Sequence, residues 1–226
     1  PLTLIGWVII LDRRTFLKSL GLSAGCVVPV LRPDDAAAAA PLSPRQSSPV
    51  PHLPMFRGNP AHTFYGTGPV RDRPQVVWHA KMGSFLSPVT QKVWSGTGWT
   101  GTAVVVGDRV YIGSLDTYLY CYQRFTGKQI WRYKAGAMFK SSVAYYAGRL
   151  FVGNVDNKIR CLDASTGKLL WQYVTPTDVD SSPCIANGKM YIASEAGWMH
   201  CFRPTTGQLV WRTWLGGQEG KPGSNG

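Results

Sequence analysis

Apolar and polar residues alternate with a period of two through the second half of the chain, as in residues 149–152 and 158–162. The apolar positions are mostly β-branched or aromatic, which is typical of half-buried strands. Pairs suited to tight hairpins separate the runs, at Gly107–Asp108, Ala147–Gly148 and Asn187–Gly188. The pattern therefore predicts short antiparallel strands.

These strands belong to a unit that recurs every forty residues. Four features keep the same spacing in three successive copies: an aromatic residue at Tyr111, Phe151 and Tyr191; a cysteine at 121, 161 and 201; Thr-Gly at 126, 166 and 206; and a tryptophan at 131, 171 and 211. In the last copy we expect strands near 182–186, 190–194, 198–202 and 209–214. Repeats of this length indicate a β-propeller, in which each blade covers the apolar face of its neighbour.

The predicted fold is all-β, a partial β-propeller of four-stranded antiparallel blades. Three blades are expected at about 103–136, 143–176 and 182–216, within an incomplete propeller domain at 75–226. Residues 75–83 match 209–217 and predict one further outer strand, which would close the last blade of a ring. Residues 84–98 predict an inserted loop. Propellers usually have four to eight blades, so we expect a piece of a longer protein.

One stretch points to a family. Residues 162–171 (LDASTGKLLW) resemble the tryptophan-docking signature of the pyrroloquinoline-quinone (PQQ)-like repeat propellers, and residues 122–131 and 202–211 are weaker copies. Glycines in the turns, Gly127, Gly167 and Gly207, allow a bend where a Cβ would clash. Asp163 can accept hydrogen bonds from turn amides, whereas Gln123 and Arg203 replace it in the other copies. The indoles of Trp131, Trp171 and Trp211 are expected to wedge between adjacent sheets.

The amino terminus resembles a twin-arginine export signal. Arg13 and Arg14 precede Phe16, Leu17 and Lys18, and an apolar run and an alanine run follow within a signal region at 1–40. We expect a bacterial periplasmic or cell-envelope protein that uses the twin-arginine translocase. Cleavage, retention of the signal and lipidation at Cys26 remain open. The apolar residues 2–11 leave two start points open, a real upstream segment or translation that begins near residue 11.

Residues 41–74 predict a Pro/Ser-rich tether followed by a lead-in to the propeller. Within it, residues 56–63 resemble the FRG-N-x-x-H lead-in of secreted members of the repeat family. His62 is either a functional residue or part of a segment that caps the propeller.

The chain is basic, with a formal net charge of +12. The signal region holds only four of the 24 basic and three of the 12 acidic groups, so the remainder is also basic. Single dispersed Lys and Arg residues favour a solvated surface over a specific anionic partner, and export argues against nucleic acid. The repeated Cys121, Cys161 and Cys201 predict packing, a Cys184–Cys201 disulfide stays open, and no spacing indicates zinc.

The resemblance leaves several functions open, because this fold serves unrelated activities. It implies either an exported non-catalytic module that binds a protein or polysaccharide without a cofactor, or a dehydrogenase with PQQ and calcium in the central funnel. A third alternative is a propeller of outer-membrane protein assembly. The quinone alcohol dehydrogenases carry a vicinal cysteine pair, and no two cysteines are adjacent here. We therefore favour the binding module, with Lys140 and Asp180 as funnel candidates at equivalent positions of successive blades.

Overall fold

The computed structural model describes residues 53–63, 73, 75–96 and 101–216. Residues 53–63 and 75–216 belong to one unit, to which the following description refers. In this part of the chain all regular structure is β. The strands are β1 Ser84–Leu86, β2 Val93–Ser95, β3 Val104–Val106, β4 Arg109–Gly113, β5 Tyr118–Gln123, β6 Gln129–Lys134, β7 Ala144–Tyr146, β8 Arg149–Asn154, β9 Lys158–Asp163, β10 Leu169–Val174, β11 Cys184–Ala186, β12 Lys189–Ser194, β13 Trp198–Phe202 and β14 Leu209–Trp214.

Twelve of the strands form three antiparallel sheets in which consecutive strands are neighbours. Blade 1 is β3–β4–β5–β6, blade 2 is β7–β8–β9–β10, and blade 3 is β11–β12–β13–β14. The inner strands β3, β7 and β11 lie side by side. The predicted all-β fold of four-stranded antiparallel blades is confirmed. Among the described residues no helix has the length and apolarity needed to cross a bilayer.

The outer strand of each blade has a β-bulge next to its repeated tryptophan. In blade 2 the pairing passes from Leu169–Leu162 to Trp171–Cys161 and skips one residue, and the same shift occurs in blades 1 and 3. A bulge adds one unpaired residue and increases the local twist. The skipped residues are Ile130, Leu170 and Val210, and each is more than 40% exposed.

The apolar core lies between the blades. One cluster joins Tyr111, Leu119 and Cys121 of blade 1 to residues of blade 2, and a second joins blade 2 to blade 3 through residues such as Phe151 and Met190. The cysteines at the repeated position are free thiols buried in these layers. Burial raises the pKa of the Cys121 and Cys161 thiols to about 12, so both stay protonated and act as small apolar groups.

The segment predicted as an inserted loop differs from the expectation. Residues 84–95 form a two-stranded hairpin in which Phe85 pairs with Trp94, and the amide of Ser87 donates to the carbonyl of Lys92. The apolar residues on both sides of the polar turn allow this local pairing. Residues 75–83, predicted as an outer strand, lie outside the four described sheets, although they pack against blade 1 through Trp78, Ala80 and Met82.

The lead-in crosses the inner strands of all three blades. Leu53 pairs with Val105 of β3 through hydrogen bonds of 3.0 and 3.2 Å, and the amide of Tyr145 on β7 donates to Pro54 at 2.5 Å. The Cys184 thiol of β11 lies 3.8 Å from the carbonyl oxygen of Pro60. His62 is exposed, with its ring edge-on to Phe56 at 5.5 Å. Residues 53–60 of the lead-in thus cover edges of the inner strands that would otherwise be unpaired. His62 is exposed and is not among the residues that make these contacts.

Candidate functional site

The loops that lead into the inner strands are anchored by pairs of serines. The Ser141 hydroxyl donates to the carbonyl of Gly153 at 3.0 Å and accepts from its amide at 3.1 Å. Ser181 makes the same two bonds with Ala193, at 2.7 and 2.9 Å. Each loop is therefore fixed to the second strand of its own blade.

The next serine in each loop ties neighbouring blades together. The Ser142 hydroxyl accepts from the amide of Thr102 at 2.8 Å, and the Ser182 hydroxyl accepts from the amide of Ser142 at 2.9 Å. These bonds join blade 1 to blade 2 and blade 2 to blade 3. The side chains that project from these loops therefore stand on a rigid base.

Lys140 and Asp180, the two funnel candidates, form an ion pair across the junction of blades 2 and 3. The distance from Nζ to Oδ2 is 2.7 Å, and each side chain is 26% exposed. The second carboxylate oxygen of Asp180, Oδ1, is buried and has no hydrogen-bond partner among the described residues. The structure thus brings together the two candidates that the repeat placed in register.

Further acidic groups surround this pair. Burial raises the pKa of the Glu195 carboxyl, the negative charges of Asp180 and Asp178 add to the rise, and Lys140 opposes it. The amide of Glu195 donates to the carbonyl of Asp178 at 3.0 Å. We call Lys140, Asp178, Asp180 and Glu195 the acidic loop surface, because it has three carboxylates and one ammonium. The sequence analysis did not select Glu195. The equivalent residues of blades 1 and 2 are the apolar Leu115 and Val155, so the change to a carboxylate was a usable signal.

A calcium-bound quinone does not fit the described residues. Calcium takes six to eight oxygen ligands, mostly carboxylates and carbonyls. Within the described ranges no three or more His, Cys, Asp or Glu side chains are grouped to hold a metal ion, and the carboxylate of Asp180 is already paired with Lys140. We therefore derive no chemistry through that cofactor.

The repeated tryptophans dock on the turn of the following blade. The Trp131 indole donates to the carbonyl of Ala164 at 3.2 Å, and a Cβ on Gly167 would lie 2.6 Å from its ring. Trp171 donates to Pro204 at 3.0 Å and contacts Gly207 in the same way. The glycine therefore serves the neighbouring blade's indole as well as its own turn.

Two further indoles complete this comparison. Trp78, in the segment before blade 1, donates to the carbonyl of Arg124 at 2.6 Å, and its ring lies 2.7 Å from a Cβ position on Gly127. Trp211 is 43% exposed and contacts Tyr191 of its own blade, with ring centroids 6.0 Å apart. No turn among the described residues receives the indole of Trp211, so the wedge expected for it stays a prediction.

The turn that precedes each docking tryptophan is held by a side-chain acceptor in blades 1 and 2. Hydrogen bonds from Ser165 and Thr166 hold the pKa of Asp163 down to about 2. Gln123 takes the same place in blade 1, where its Oε1 accepts from the amides of Phe125 and Thr126 at 2.7 Å each. In blade 1 the side-chain amide oxygen of Gln123 thus accepts the hydrogen bonds that the carboxylate of Asp163 accepts in blade 2. In blade 3 the amide of Thr206 donates to the backbone carbonyl of Arg203 at 3.3 Å, whereas the equivalent amides of blades 1 and 2 donate to the side chains.

The export motif, with Arg13, Arg14, Phe16, Leu17 and Lys18, lies outside the described residues. It stays a prediction.

The fold resembles several solved propellers. BamB from Moraxella catarrhalis is 20% identical, with a TM-score of 0.50 over 63% of this chain and 41% of that one. A europium-containing methanol dehydrogenase is 18% identical, with a TM-score of 0.55 over 74% and 32%. The quinohemoprotein alcohol dehydrogenase from Comamonas testosteroni is 22% identical, with a TM-score of 0.55 over 72% and 27%. At these identities the similarity shows the fold alone.

This chain spans less than half the length of each of those structures. None of the curated proteins matches the sequence significantly. A family model described as outer membrane protein assembly factor BamB matches residues 71–223, more than half of the chain. With its three four-stranded blades and their tryptophan docking, the chain therefore belongs to this PQQ_2 family.

Proposed function

We propose that this chain is part of an exported β-propeller that binds another protein and does not catalyse a reaction. The observation that carries the proposal is the acidic loop surface, which stands on loops tied between blades by Ser142 and Ser182. Loop residues on a rigid scaffold are the usual means of recognition in such folds.

The charge of this surface indicates the kind of partner. The chain as a whole is basic, at +12, yet this surface has three carboxylates and one ammonium. A basic protein segment therefore fits the surface better than an acidic polysaccharide, which the carboxylates would repel.

The family match favours a narrower second candidate. The matching family model is described as an outer membrane protein assembly factor. The same propeller could then serve outer-membrane protein assembly, with a membrane-protein insertase as the basic partner. A twin-arginine export signal at residues 1–40 would deliver either kind of protein to the cell envelope.

Site-specific photo-cross-linking in the producing cell tests the proposal on the full-length protein. A cross-linking amino acid replaces the exposed Pro176, beside the acidic loop surface, or the exposed Asn187, at the opposite end of β11. We expect a discrete protein adduct from position 176 and none from position 187. Replacing Asp178→Asn and Glu195→Gln together should weaken that adduct.

Two results would overturn the proposal. One is an equal adduct pattern from both positions, because binding would then not involve the loop surface. The other is dye-linked alcohol oxidation by the purified full-length protein after addition of PQQ and calcium, which would restore the dehydrogenase alternative. An adduct identified as an insertase subunit would select the assembly role.

A further inference from the structure

An open groove lies between residues 81–84 and the outer part of blade 1, beside the contacts of Met82 and Gly83 with that blade. Its volume is about 390 Å³, and its walls include Lys81 and Ser84 on one side and Tyr118, Gln129 and Arg132 on the other. We call it the first crevice. Its volume lies within the range of small-ligand sites, roughly 300–1,000 Å³.

Two cations face the first crevice from opposite walls. The Arg132 guanidinium lies over the ring of Tyr118, 4.6 Å from the ring centroid, and this stacking restricts its orientation. Among the described residues no carboxylate lies within salt-bridge distance of Arg132 or Lys81. The guanidinium therefore presents a planar set of N–H donors that suits a carboxylate.

Asp116, at the base of the crevice, does not compete for these cations. Its carboxylate accepts from the amide of Gly83 at 2.8 Å, from the hydroxyl of Tyr120 at 2.7 Å and from the amide of Tyr118 at 3.1 Å. The residue is only 6% exposed. Its charge is thus already stabilised by three donors, and the crevice remains attractive to an anion.

The equivalent positions of blade 2 show that the fold does not require these groups. Leu169 and Gln172 stand where blade 1 has Gln129 and Arg132. The buried arginine of blade 2, Arg160, is 3% exposed and bonds to Asp156. Among the three blades the amide of Gln129 is therefore particular to blade 1, whereas the arginine at position 132 recurs in blade 3 as Arg212.

From this we infer that the first crevice binds a hydroxylated organic acid, the chemistry of a uronate sugar unit. Arg132 binds the carboxylate with two parallel hydrogen bonds, and Lys81 approaches the same group from the opposite wall. The amide of Gln129 and the hydroxyl of Ser84 bond to the hydroxyl groups. This site is separate from the acidic loop surface and does not rest on the function proposed for it.

Calorimetry on the full-length protein tests the inference with D-galacturonate, D-galactose and inorganic phosphate as probes. We expect binding of galacturonate and no binding of galactose at the same concentration. Arg132→Gln and Gln129→Leu place the residues of blade 2 in blade 1, so the fold should persist. Arg132→Gln should weaken galacturonate binding by about tenfold or more, since it removes a charge-assisted bidentate contact.

Arg212→Gln is the matched control. Arg212 occupies the equivalent position of blade 3 and lies over Trp198 at the same 4.6 Å, so the variant removes an identical charge and stacking contact elsewhere. It should leave galacturonate binding unchanged. Lack of galacturonate binding by the folded protein, or equal binding by Arg132→Gln, would overturn the inference. Phosphate binding as tight as galacturonate binding would overturn the role of the hydroxyl contacts.

Discussion

The two junctions between neighbouring blades share one device and differ in another. At both junctions a tryptophan of one blade packs against a turn glycine of the next blade: Trp131 against Gly167, and Trp171 against Gly207. Beside this common contact, the junction of blades 1 and 2 contains a buried ionic clamp. The junction of blades 2 and 3 has no such clamp at the equivalent positions of the repeat, and its own ion pair, Lys140 with Asp180, is partly exposed.

The clamp of blades 1 and 2 is centred on Asp156. Its carboxylate accepts from the amide of Gly136 at 3.0 Å and from both terminal nitrogens of Arg160, one of them at 2.8 Å. Arg160 is 3% exposed, and the ring of Tyr133 lies 6.0 Å from its guanidinium carbon. The two charges are thus paired within the site, while Nε of Arg160 is buried without a hydrogen-bond partner among the described residues.

At the junction of blades 2 and 3 donor and acceptor have been lost together. Pro176 has no amide hydrogen where Gly136 donates, and Ala196 has no carboxylate where Asp156 accepts. His200 replaces Arg160, is fully buried, and lies between Tyr173 and Phe202 at centroid distances of 5.7 and 6.1 Å. Removing both partners of a buried polar contact is nearly neutral, whereas removing one is costly. The donor and the acceptor of the clamp are therefore both absent from this junction, and both ring nitrogens of His200 are buried without a hydrogen-bond partner among the described residues.

The largest expected effect comes from breaking the clamp on one side. Asp156→Ala leaves Arg160 buried without a counter-charge and should lower the free energy of unfolding by about 3–5 kcal/mol. Denaturant unfolding of the full-length protein measures it. The double variant Asp156→Ala with Arg160→His has the residues that blade 3 has at these two positions. Its free energy of unfolding should fall clearly less than that of Asp156→Ala. An Asp156→Ala protein as stable as the parent would contradict the role of the clamp.

A smaller effect is expected from the contact that both junctions share. Gly167 has φ +73° and a Cβ would lie 2.6 Å from Trp131, so Gly167→Ala should cost about 2–3 kcal/mol, from backbone strain plus displacement of the indole. Gly148→Ala is the control, because Gly148 has φ +76° and open space around its Cβ position. It should cost only about 1 kcal/mol. Equal losses in thermal unfolding would show that the indole contact adds nothing.

The smallest effect distinguishes the junctions by pH. Burial lowers the pKa of His200 below its ordinary value of 6.5; Arg212 on β14 also lowers it, and backbone groups of Ile192 and Trp198 partly oppose the shift. Tyr173 faces the ring from blade 2. The unfolded chain then binds more protons than the folded one, so stability falls as the pH drops below about 6.5 and levels off below the folded pKa.

Unfolding measured at pH 7.5 and pH 5 should therefore show a loss in the parent that His200→Tyr reduces. Tyrosine stands at this position in blade 1, as Tyr120, and does not titrate in this range. The clamp of blades 1 and 2 contains no histidine, so we expect this acid sensitivity to come from the junction of blades 2 and 3. If His200→Tyr kept the full acid sensitivity of the parent, the effect would belong to other groups.

The sequence by itself determined the all-β fold and its repeated four-stranded blades. The forty-residue period fixes which positions are equivalent, and alternation with a period of two fixes which faces are buried, so the blade strands could be located from the pattern. Thr-Gly followed by Trp identified the turns and the indoles. The pattern predicted a loop at residues 84–95, where the structure has a hairpin. The prediction was wrong because strands of three residues are too short to give a clear periodic signal.

Only the tertiary structure decided how equivalent positions interact. Period and alternation do not specify that Trp131 docks on the next blade's Gly167, that Asp156 neutralises Arg160 within blade 2, or that the charge of Asp180 acts on Glu195. The first crevice likewise forms between segments more than thirty residues apart. The repeat determines the positions of the strands and of the apolar core, because each blade must bury the same apolar face. The polar groups differ from blade to blade, and their roles follow from the partners that packing brings within hydrogen-bonding distance.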